Sequence, residues 1–302
     1  MESNPYKIEG PALISFSGGR TSGFMLWNII QAHGGTLPED IYVTFANTGK
    51  EAPETLDFVH EIGQKWDVKI HWLELYFGEE RPVYRTKEVT YETASRNGEP
   101  FEALIDRRKY LPNPVARFCT SELKVKVMSR FMRKLKGHKT WYNVIGLRYD
   151  EPRRVSSAMR QNNPWENVLP MYHAKHDVKD VTDFWEKQNF DLNLTNFSGK
   201  TLAGNCDLCF LKGKDTKIKL LRERPEMADW WIKQEQKFGK DAGATFRKDS
   251  DNYIKLLDIG NKLTSGSQDS FESRVPVFVS INVDKAGLQE SMDSSFMGTG
   301  IN

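Results

Sequence analysis

A turn of six polar or small residues, Ser17-Gly18-Gly19-Arg20-Thr21-Ser22, separates an apolar run at residues 12–16 from an apolar-periodic stretch at residues 23–32. The run predicts a strand and the periodic stretch predicts a helix. Two glycines let the backbone approach an anion closely, and a helix N-terminus presents unpaired N–H groups and partial positive charge. The turn therefore predicts phosphate binding, with Arg20 and three hydroxyls as further donors. It lacks the spacing of a Walker A loop.

The first half of the chain alternates strand and helix patterns around this turn. Short β-branched and aromatic runs predict strands at residues 41–46, 68–75 and 140–145. Apolar periodicity predicts helices at residues 53–66 and 122–135. Strands separated by helices of this length indicate an α/β fold with a doubly wound, mostly parallel sheet.

Helical patterns dominate the second half of the chain. They predict helices at residues 178–188, 215–238 and 251–263. A strand is predicted at residues 275–283, followed by a loose tail from residue 284. We therefore expect two domains: an α/β nucleotide-binding domain over residues 1–160, and a mainly helical C-terminal region over residues 161–302 that carries a Cys-x-x-Cys pair.

The composition is that of a cytoplasmic globular protein. Of 302 residues, 38% are hydrophobic, which is enough for a core, and no apolar run approaches the ~20 residues of a membrane span. The first five residues show no signal-peptide pattern. Three cysteines are too few for a secreted disulfide framework, so we expect a reducing compartment in which they are metal ligands or reactive thiols.

Positive charge is concentrated between residues 117 and 139. Eight cations stand there against the single acid Glu122. They are Arg117, Lys124, Lys126, Arg130, Arg133, Lys134, Lys136 and Lys139. Such a segment can follow a nucleic-acid backbone, and it can equally be the solvated face of a surface helix.

Five ordered motifs resemble those of a known superfamily. The turn at residues 17–22 resembles the PP-loop, Ser-Gly-Gly-x-Asp-Ser, of the adenine-nucleotide alpha-hydrolases, and the other motifs resemble the phosphoadenosine-phosphosulfate reductase branch. The further matching segments are Phe45-Ala46-Asn47-Thr48-Gly49-Lys50-Glu51 with Pro53-Glu54-Thr55, Arg117-Phe118-Cys119-Thr120 with Leu123-Lys124, Gly146-Leu147-Arg148 with Asp150-Glu151 and Arg153, and Cys206-x-x-Cys209.

The resemblance implies a site for ATP or a related adenine nucleotide. Backbone groups of the turn would surround the phosphates, residues 47–49 would lie near the nucleoside, and Gly146 with Arg148 would face the reacting phosphate. Arg20 and Arg148 would act in catalysis. The implied binding residues are Ser17, Gly18, Gly19, Arg20, Thr21, Ser22, Asn47, Thr48, Gly49, Gly146 and Arg148.

One position departs from the superfamily pattern. Thr21 stands where the usual loop has Asp, so magnesium has no carboxylate ligand there. Either Asp150 or Glu151 serves the Mg²⁺ ion, or arginines hold the nucleotide without it.

The three cysteines predict a metal centre. Cys206 and Cys209 have the spacing that lets two sulfurs reach one metal from a tight turn. Adenylyl-sulfate reductases resemble this chain in carrying a Cys-Cys pair some 90 residues earlier, where Phe118 and Cys119 stand here. The resemblance implies a [4Fe-4S] cluster held by Cys119, Cys206 and Cys209, with one iron open. The alternatives are a zinc site completed by His173 or His176, and unligated thiols.

Three functions follow from these motifs. The first is an ATP-dependent adenylating enzyme that transfers sulfur to a nucleic-acid or small-molecule acceptor, with nucleic acid held by residues 117–139. The second is a sulfonucleotide reductase-like redox enzyme; no cysteine follows Cys209, so chemistry on a C-terminal cysteine is not expected. The third is a nucleotide-binding module without turnover.

Overall fold

A computed structural model describes residues 4–160, 163–197, 199–238 and 245–265. Its centre is a six-stranded sheet. The strands are β1 (Ala12–Ser15), β2 (Ile41–Ala46), β3 (Ile70–Phe77), β4 (Tyr84–Val89), β5 (Tyr142–Ile145) and β6 (Glu166–Val168). Their order is β4-β3-β2-β1-β5-β6, and every pairing is parallel except that of β3 with β4. The predicted α/β class with a mostly parallel sheet is confirmed.

Helices connect the strands of the sheet, and further helices follow its last strand in the chain. They are α1 (Arg20–Ala32), α2 (Pro53–Lys65), α3 (Glu99–Arg108), α4 (residues 118–135), α5 (Pro152–Met159), α6 (Pro170–His173), α7 (Val178–Trp185), α8 (Lys214–Glu223), α9 (Ala228–Phe238) and α10 (Tyr253–Ser265). Helix α4 includes two π-helical turns, and Asn196–Phe197 pairs with Lys200–Thr201 as two short antiparallel strands. No helix in the described ranges is long and apolar enough to cross a membrane.

The central strand explains why the phosphate turn lies where it does. Ala12, Leu13 and Ile14 are completely buried, as expected for a strand covered on both faces. Strand β1 pairs with β2 on one side and β5 on the other. The strand order therefore changes direction at β1, with β2, β3 and β4 on one side and β5 and β6 on the other. Loops after these three strands meet at one edge, which is where open α/β sheets bind ligands.

Strands β4 and β6 and helices α3, α5 and α6 were not predicted, and β4 and α3 have weakly patterned sequences. Strand β4 is a polar edge strand, Tyr-Arg-Thr-Lys-Glu-Val, without an apolar face to reveal it. Helix α3 is short, and it begins after Gly98 in a left-handed conformation. Both lie in the section between residues 76 and 116, for which no regular pattern was found.

The prediction of a single helix over residues 215–238 is wrong. Helix α8 ends at Glu223, Pro225 opens a 3₁₀ turn, and α9 starts at Ala228. Proline lacks the N–H that a helix interior needs, so the pattern is interrupted there. The strand predicted at residues 275–283 and the tail from residue 284 lie outside the described residues. The domain boundary at residue 160 stays a prediction.

Candidate functional site

The Ser22 hydroxyl organises the phosphate turn from inside. Its Oγ accepts hydrogen bonds from the amides of Ser17 (3.2 Å) and Gly19 (3.3 Å), donates to the Gly19 carbonyl (2.9 Å), and lies 3.0 Å from Ser17 Oγ. Ser22 is buried. Its hydroxyl and the N–H groups of Ser17 and Gly19 are therefore used to shape the turn, which leaves the other backbone N–H groups of the turn and the Thr21 hydroxyl to face a ligand.

The two glycines have different roles. Gly18 has φ +74°, and a Cβ added there would lie 2.7 Å from Thr55 Cγ2, so this position needs glycine for the fold. A Cβ on Gly19 would meet only Ser17 Oγ, at 3.8 Å, so the space above Gly19 is open. The first N–H groups of α1, which begins at Arg20, have no intrahelical acceptor. The turn thus offers backbone donors beside an open approach, which suits an anion.

Arg148 comes to the turn from the end of β5. Its Nη1 lies 3.3 Å from Thr21 Oγ1, while Nε and Nη2 donate to Asp150 at 2.8 and 3.1 Å. Burial alone would lower the pKa of Arg148, but Asp150 and Glu151 raise it above its usual value. Gly146 packs beside the same turn, since a Cβ there would lie 3.5 Å from the Ser22 Cα. The structure therefore brings Gly146 and Arg148 to the turn, and their contact with a reacting phosphate stays a prediction.

The two acids expected to serve Mg²⁺ already have cationic partners. Asp150 is held by Arg148, and the Glu151 side chain accepts from the Arg148 backbone N–H (3.1 Å) and pairs with Arg154 (2.5 Å). These contacts shape the loop after β5.

Arg20 contacts a different part of the chain from that expected. Its guanidinium forms a two-pronged ion pair with Asp191, Nε–Oδ1 2.7 Å and Nη2–Oδ2 2.5 Å, and also reaches Thr201 Oγ1 at 3.3 Å. Only 12% of its side chain is exposed. Arg20 therefore holds Asp191 and Thr201 against the start of α1, and the guanidinium that contacts the turn is that of Arg148.

Residues 47–49 build the loop that follows β2. The Asn47 amide donates to Glu74 Oε1 (2.7 Å) and the Ser95 carbonyl (2.8 Å), and its Oδ1 accepts from the Gly49 N–H (3.1 Å). Asn47 is completely buried. Gly49 has φ +77°, and a Cβ there would come within 3.0 Å of the Gly98 backbone. These side chains fix the loop, so a nucleoside would meet mainly its backbone.

The cysteines gather around Thr48, Glu51 and Lys124. The Thr48 hydroxyl lies 2.8 and 2.9 Å from the two Glu51 carboxylate oxygens and 3.6 Å from Cys206 Sγ. Lys124 Nζ is 3.7 Å from Glu51 Oε1. Burial alone would lower the pKa of Lys124, but Glu51 and all three cysteines act together to raise it. The structure thus brings Cys119, Cys206 and Cys209 near one partly exposed lysine beside the loop after β2.

This arrangement does not fit a ready-made metal centre. Within the described residues, no group of three or more His, Cys, Asp and Glu side chains could hold a metal ion. Of the histidines considered for zinc, His176 has Nδ1 2.7 Å from the Tyr6 hydroxyl and its ring against Phe24. His173 packs against Tyr172. The zinc and [4Fe-4S] assignments therefore stay predictions.

Cys119 and Cys206 should react slowly with alkylating agents at neutral pH. Burial, reinforced by Cys209, raises the pKa of Cys119, and burial with the Glu51 carboxylate raises that of Cys206. A raised pKa leaves less thiolate at a given pH, and the thiolate is the nucleophile. We expect iodoacetamide to modify Cys119 and Cys206 more slowly at pH 7.5 than in urea-unfolded chain, with rates that climb above pH 9. Residue-resolved mass spectrometry measures this, and fast modification that levels off below pH 8 would contradict it.

The basic segment is largely engaged within the protein. Glu122 is buried and holds Arg108 Nη2 (2.8 Å), Lys126 Nζ (2.9 Å) and Arg130 Nη2 (3.3 Å). Other cations of the segment lie over aromatic rings, Arg133 over Trp141 and Lys136 over Tyr42. The segment therefore does not present one continuous free basic face, and the expected nucleic-acid contact there gains no support.

An open cavity of about 660 Å³ lies at the start of α8. Its lining is Lys212, Gly213, Lys214, Arg247, Lys248, Asp249, Ser250 and Asp251. Its charges pair among themselves, Arg247 with Asp249 (2.5 Å) and Lys214 with Asp251 (2.6 Å). None of the residues predicted to bind a nucleotide or metal lines it.

Several residues of the site were missed by sequence reasoning. Asp191, Glu51 and Asp207 each hold a cation of a recognised motif, at Arg20, Lys124 and Lys50 respectively. Asp207 stands inside the Cys-x-x-Cys pair, and Glu51 stands at the end of a quoted motif. For Asp207 and Glu51, the only indication in the sequence was that each stands within a recognised motif.

Comparison with known proteins gives limited matches. No protein-family model matches the chain. Among curated proteins it is similar to the uncharacterized nin region protein ORF290 of Escherichia phage lambda, 29% identical over 207 residues, and the match spans 66% of each chain. Among solved structures it is similar to phosphoadenylyl-sulfate (PAPS) reductase from Candida auris in a phosphate complex, at 15% identity and a TM-score of 0.38, covering 62% of this chain and 80% of that one. The six-stranded, mostly parallel sheet is the basis on which the α/β fold is assigned.

Proposed function

We propose that the chain binds ATP at the phosphate turn and adenylates an acceptor oxygen, releasing pyrophosphate. The observation that carries the proposal is the open backbone at Gly19 beside the Arg148 guanidinium, at the edge where β1, β2 and β5 end. The motif resemblance supports an adenine nucleotide as the anion.

The chemistry is an in-line substitution at the α-phosphorus. The acceptor oxygen forms a bond to that phosphorus, the bond to the bridging oxygen breaks, and pyrophosphate leaves with the electron pair. Backbone N–H groups of the turn hold the phosphates in place, and the fixed charge of Arg148 offsets the negative charge that develops on the transferred group. Thr21 Oγ1 keeps the guanidinium directed at the turn.

Arg148→Lys is expected to slow pyrophosphate release about 100-fold while weakening ATP binding much less, because a single preorganised donor acts mainly on the transition state. Lysine keeps the charge but loses the fork that contacts Thr21 and Asp150 together. Arg222→Ala, an exposed arginine on α8, is the control and should change neither quantity. Unaltered turnover in Arg148→Lys would remove this residue from the mechanism.

The sulfur-transfer part of the proposal has its own test. The three cysteines lie beside the loop after β2, close to the expected nucleoside, but their arrangement does not fit a metal ion as it stands. No step is therefore routed through a cluster. Iron and acid-labile sulfide bound after anaerobic reconstitution, and lost in Cys119→Ser, would restore the cluster assignment. Absence of both would leave an adenylating enzyme without cluster-borne sulfur.

A second candidate function is nucleotide binding without turnover. It is favoured by two features: the charge of Arg20 is neutralised by Asp191, and Thr21 replaces the carboxylate that would hold magnesium. ATP binding with no pyrophosphate release, across a range of acceptors, is the result that would select it.

A further inference from the structure

The peptide unit between Arg20 and Thr21 is held from outside the phosphate turn. Its N–H, that of Thr21, is among the first amides of α1, which have no intrahelical acceptor and can bind an anion. Its carbonyl, that of Arg20, accepts a hydrogen bond from the Trp185 indole nitrogen at 2.8 Å. A trans peptide unit is planar, and its C=O and N–H point in opposite directions. The bond from Trp185 on one side therefore fixes the direction of the Thr21 N–H on the other.

Trp185 is itself firmly placed. It is the last residue of α7, it is buried, and its ring packs against Phe58 (centroids 5.0 Å apart) and Phe190 (5.6 Å). The indole also approaches α1 closely, since a Cβ added to Gly23 would lie 2.7 Å from Trp185 Cζ2. Aromatic packing on one side and the glycine on the other thus bring the indole nitrogen to the turn.

The Arg20 side chain holds the same backbone from a second direction. Its guanidinium pairs with both carboxylate oxygens of Asp191, and both of its Nη atoms lie 3.4 Å from the Leu194 carbonyl. Asp191 follows Phe190, whose ring packs on Trp185, so both contacts with Arg20 come from one section of the chain. Arg20 is therefore anchored through its carbonyl and its side chain, while its own N–H and that of Thr21 remain for an anion.

We propose that Trp185 and Asp191 are positioning residues of the phosphate turn. They act through Arg20, which anchors the backbone and does not contact the phosphates with its side chain. N–H groups that are already in place bind an anion more tightly than a loose turn does, because less ordering accompanies binding. This inference rests on the proposed nucleotide binding, and it adds to that site two residues that lie 165 and 171 positions from Arg20.

Loss of the indole N–H tests the bond to the carbonyl. Trp185→Phe keeps an aromatic ring and removes the donor. Trp66→Phe makes the same change in a ring 6.0 Å from that of Trp185, which donates no hydrogen bond to the turn among the residues that the structure describes. We expect Trp185→Phe to bind ATP and inorganic pyrophosphate about fivefold more weakly by calorimetry, the value of about one hydrogen bond. Trp66→Phe should stay within about twofold of the parent chain.

A spectroscopic measurement separates positioning from stability. Both tryptophan variants lose packing and should melt at a lower temperature than the parent chain, so each is studied well below its own melting temperature. In ¹H–¹⁵N spectra at saturating pyrophosphate, the shift of the Thr21 amide should shrink in Trp185→Phe and persist in Trp66→Phe. A role confined to packing would lower both melting temperatures and leave the Thr21 shift unchanged in both variants.

Asp191→Ala distinguishes an anchor from a phosphate ligand that the carboxylate holds back. Release of a held-back guanidinium would tighten ATP binding. Loss of an anchor should loosen the turn instead, and we expect ATP to bind about fivefold more weakly. Asp183→Ala removes an equal charge from the surface of α7, where Asp183 pairs with Lys179, and should change ATP affinity less than about twofold.

Three results would overturn the inference: equal ATP affinity in Trp185→Phe and Trp66→Phe, an unchanged Thr21 shift in Trp185→Phe, or tighter ATP binding in Asp191→Ala. If the parent chain binds ATP while any of these is found, the proposed nucleotide site stands and its positioning by Trp185 and Asp191 is wrong. If the parent chain binds neither ATP nor pyrophosphate, the proposed function fails on its own measurement, and this inference fails with it.

Discussion

Gly19→Val is expected to abolish ATP binding while the chain stays folded. A Cβ at Gly19 meets only Ser17 Oγ at 3.8 Å, and its φ of −108° suits any residue. The branched side chain would therefore fill the open space above the turn without displacing its neighbours. That space is where phosphate oxygens must approach the backbone N–H groups, so the affinity measured by calorimetry should fall at least about 100-fold, the value of roughly two lost charge-assisted hydrogen bonds.

A matched control for this substitution is Gly213→Val. Gly213 also precedes a helix, α8, and a Cβ there has no neighbour closer than Thr216 Oγ1 at 4.0 Å. It should leave ATP binding unaltered. Gly18→Val is expected to behave differently and destabilise the fold, because Gly18 has φ +74° and Thr55 lies 2.7 Å from the added atom. Full ATP affinity in a folded Gly19→Val chain would refute the assignment of the turn.

Asp207→Ala is expected to lower the free energy of unfolding by about 3–5 kcal/mol, the usual cost of leaving a buried charge without its partner. Asp207 is buried, with Oδ2 2.9 Å from Lys50 Nζ and Oδ1 2.8 Å from the Trp231 indole nitrogen. The Asp207 N–H also donates to the Lys50 carbonyl at 2.7 Å. The pair therefore joins the loop after β2 to the Cys-x-x-Cys turn, and its loss should loosen both.

Urea denaturation measures this effect, and two further variants interpret it. Lys50→Met/Asp207→Leu removes both charges and should recover much of the lost stability, because the penalty comes from the unpaired ion rather than from the missing bond. Asp249→Ala, whose partner Arg247 is a surface residue, should have little effect. A loss in Asp207→Ala no larger than that in Asp249→Ala would show that this pair does not hold the two loops together.

Local signals predicted the centre of the fold. The apolar run before residue 17, the paired glycines and the periodicity of α1 are all contained within about twenty positions, and the structure confirms the strand and helix there. Residues 41–46 form a strand as predicted, since their apolar side chains are enclosed on both faces. Such local signals could not predict contacts that depend on tertiary structure. Asp191 is 171 positions from Arg20 and pairs with the guanidinium that was predicted to bind phosphates.

For the basic segment, the sequence itself could have helped to choose between the two alternatives. Glu122 and Lys126 are four positions apart and Arg130 is eight from Glu122, so a helix through them places both cations above the same carboxylate. Counting charges without this geometry overstated the free positive charge. Arg108 completes the group from α3, an element without a clear sequence pattern.

The central claim is that the backbone of residues 18–21 holds the phosphates of ATP. The measurement that tests it most directly is a set of two-dimensional ¹H–¹⁵N spectra of the labelled chain, recorded with ATP and with inorganic pyrophosphate alone. The account predicts that the amide signals of Gly18, Gly19, Arg20 and Thr21 shift with both ligands and lose those shifts in Gly19→Val. Unmoved signals in the turn, with shifts confined to the amides of residues 212–214 and 247–251 around the cavity at the start of α8, would contradict it.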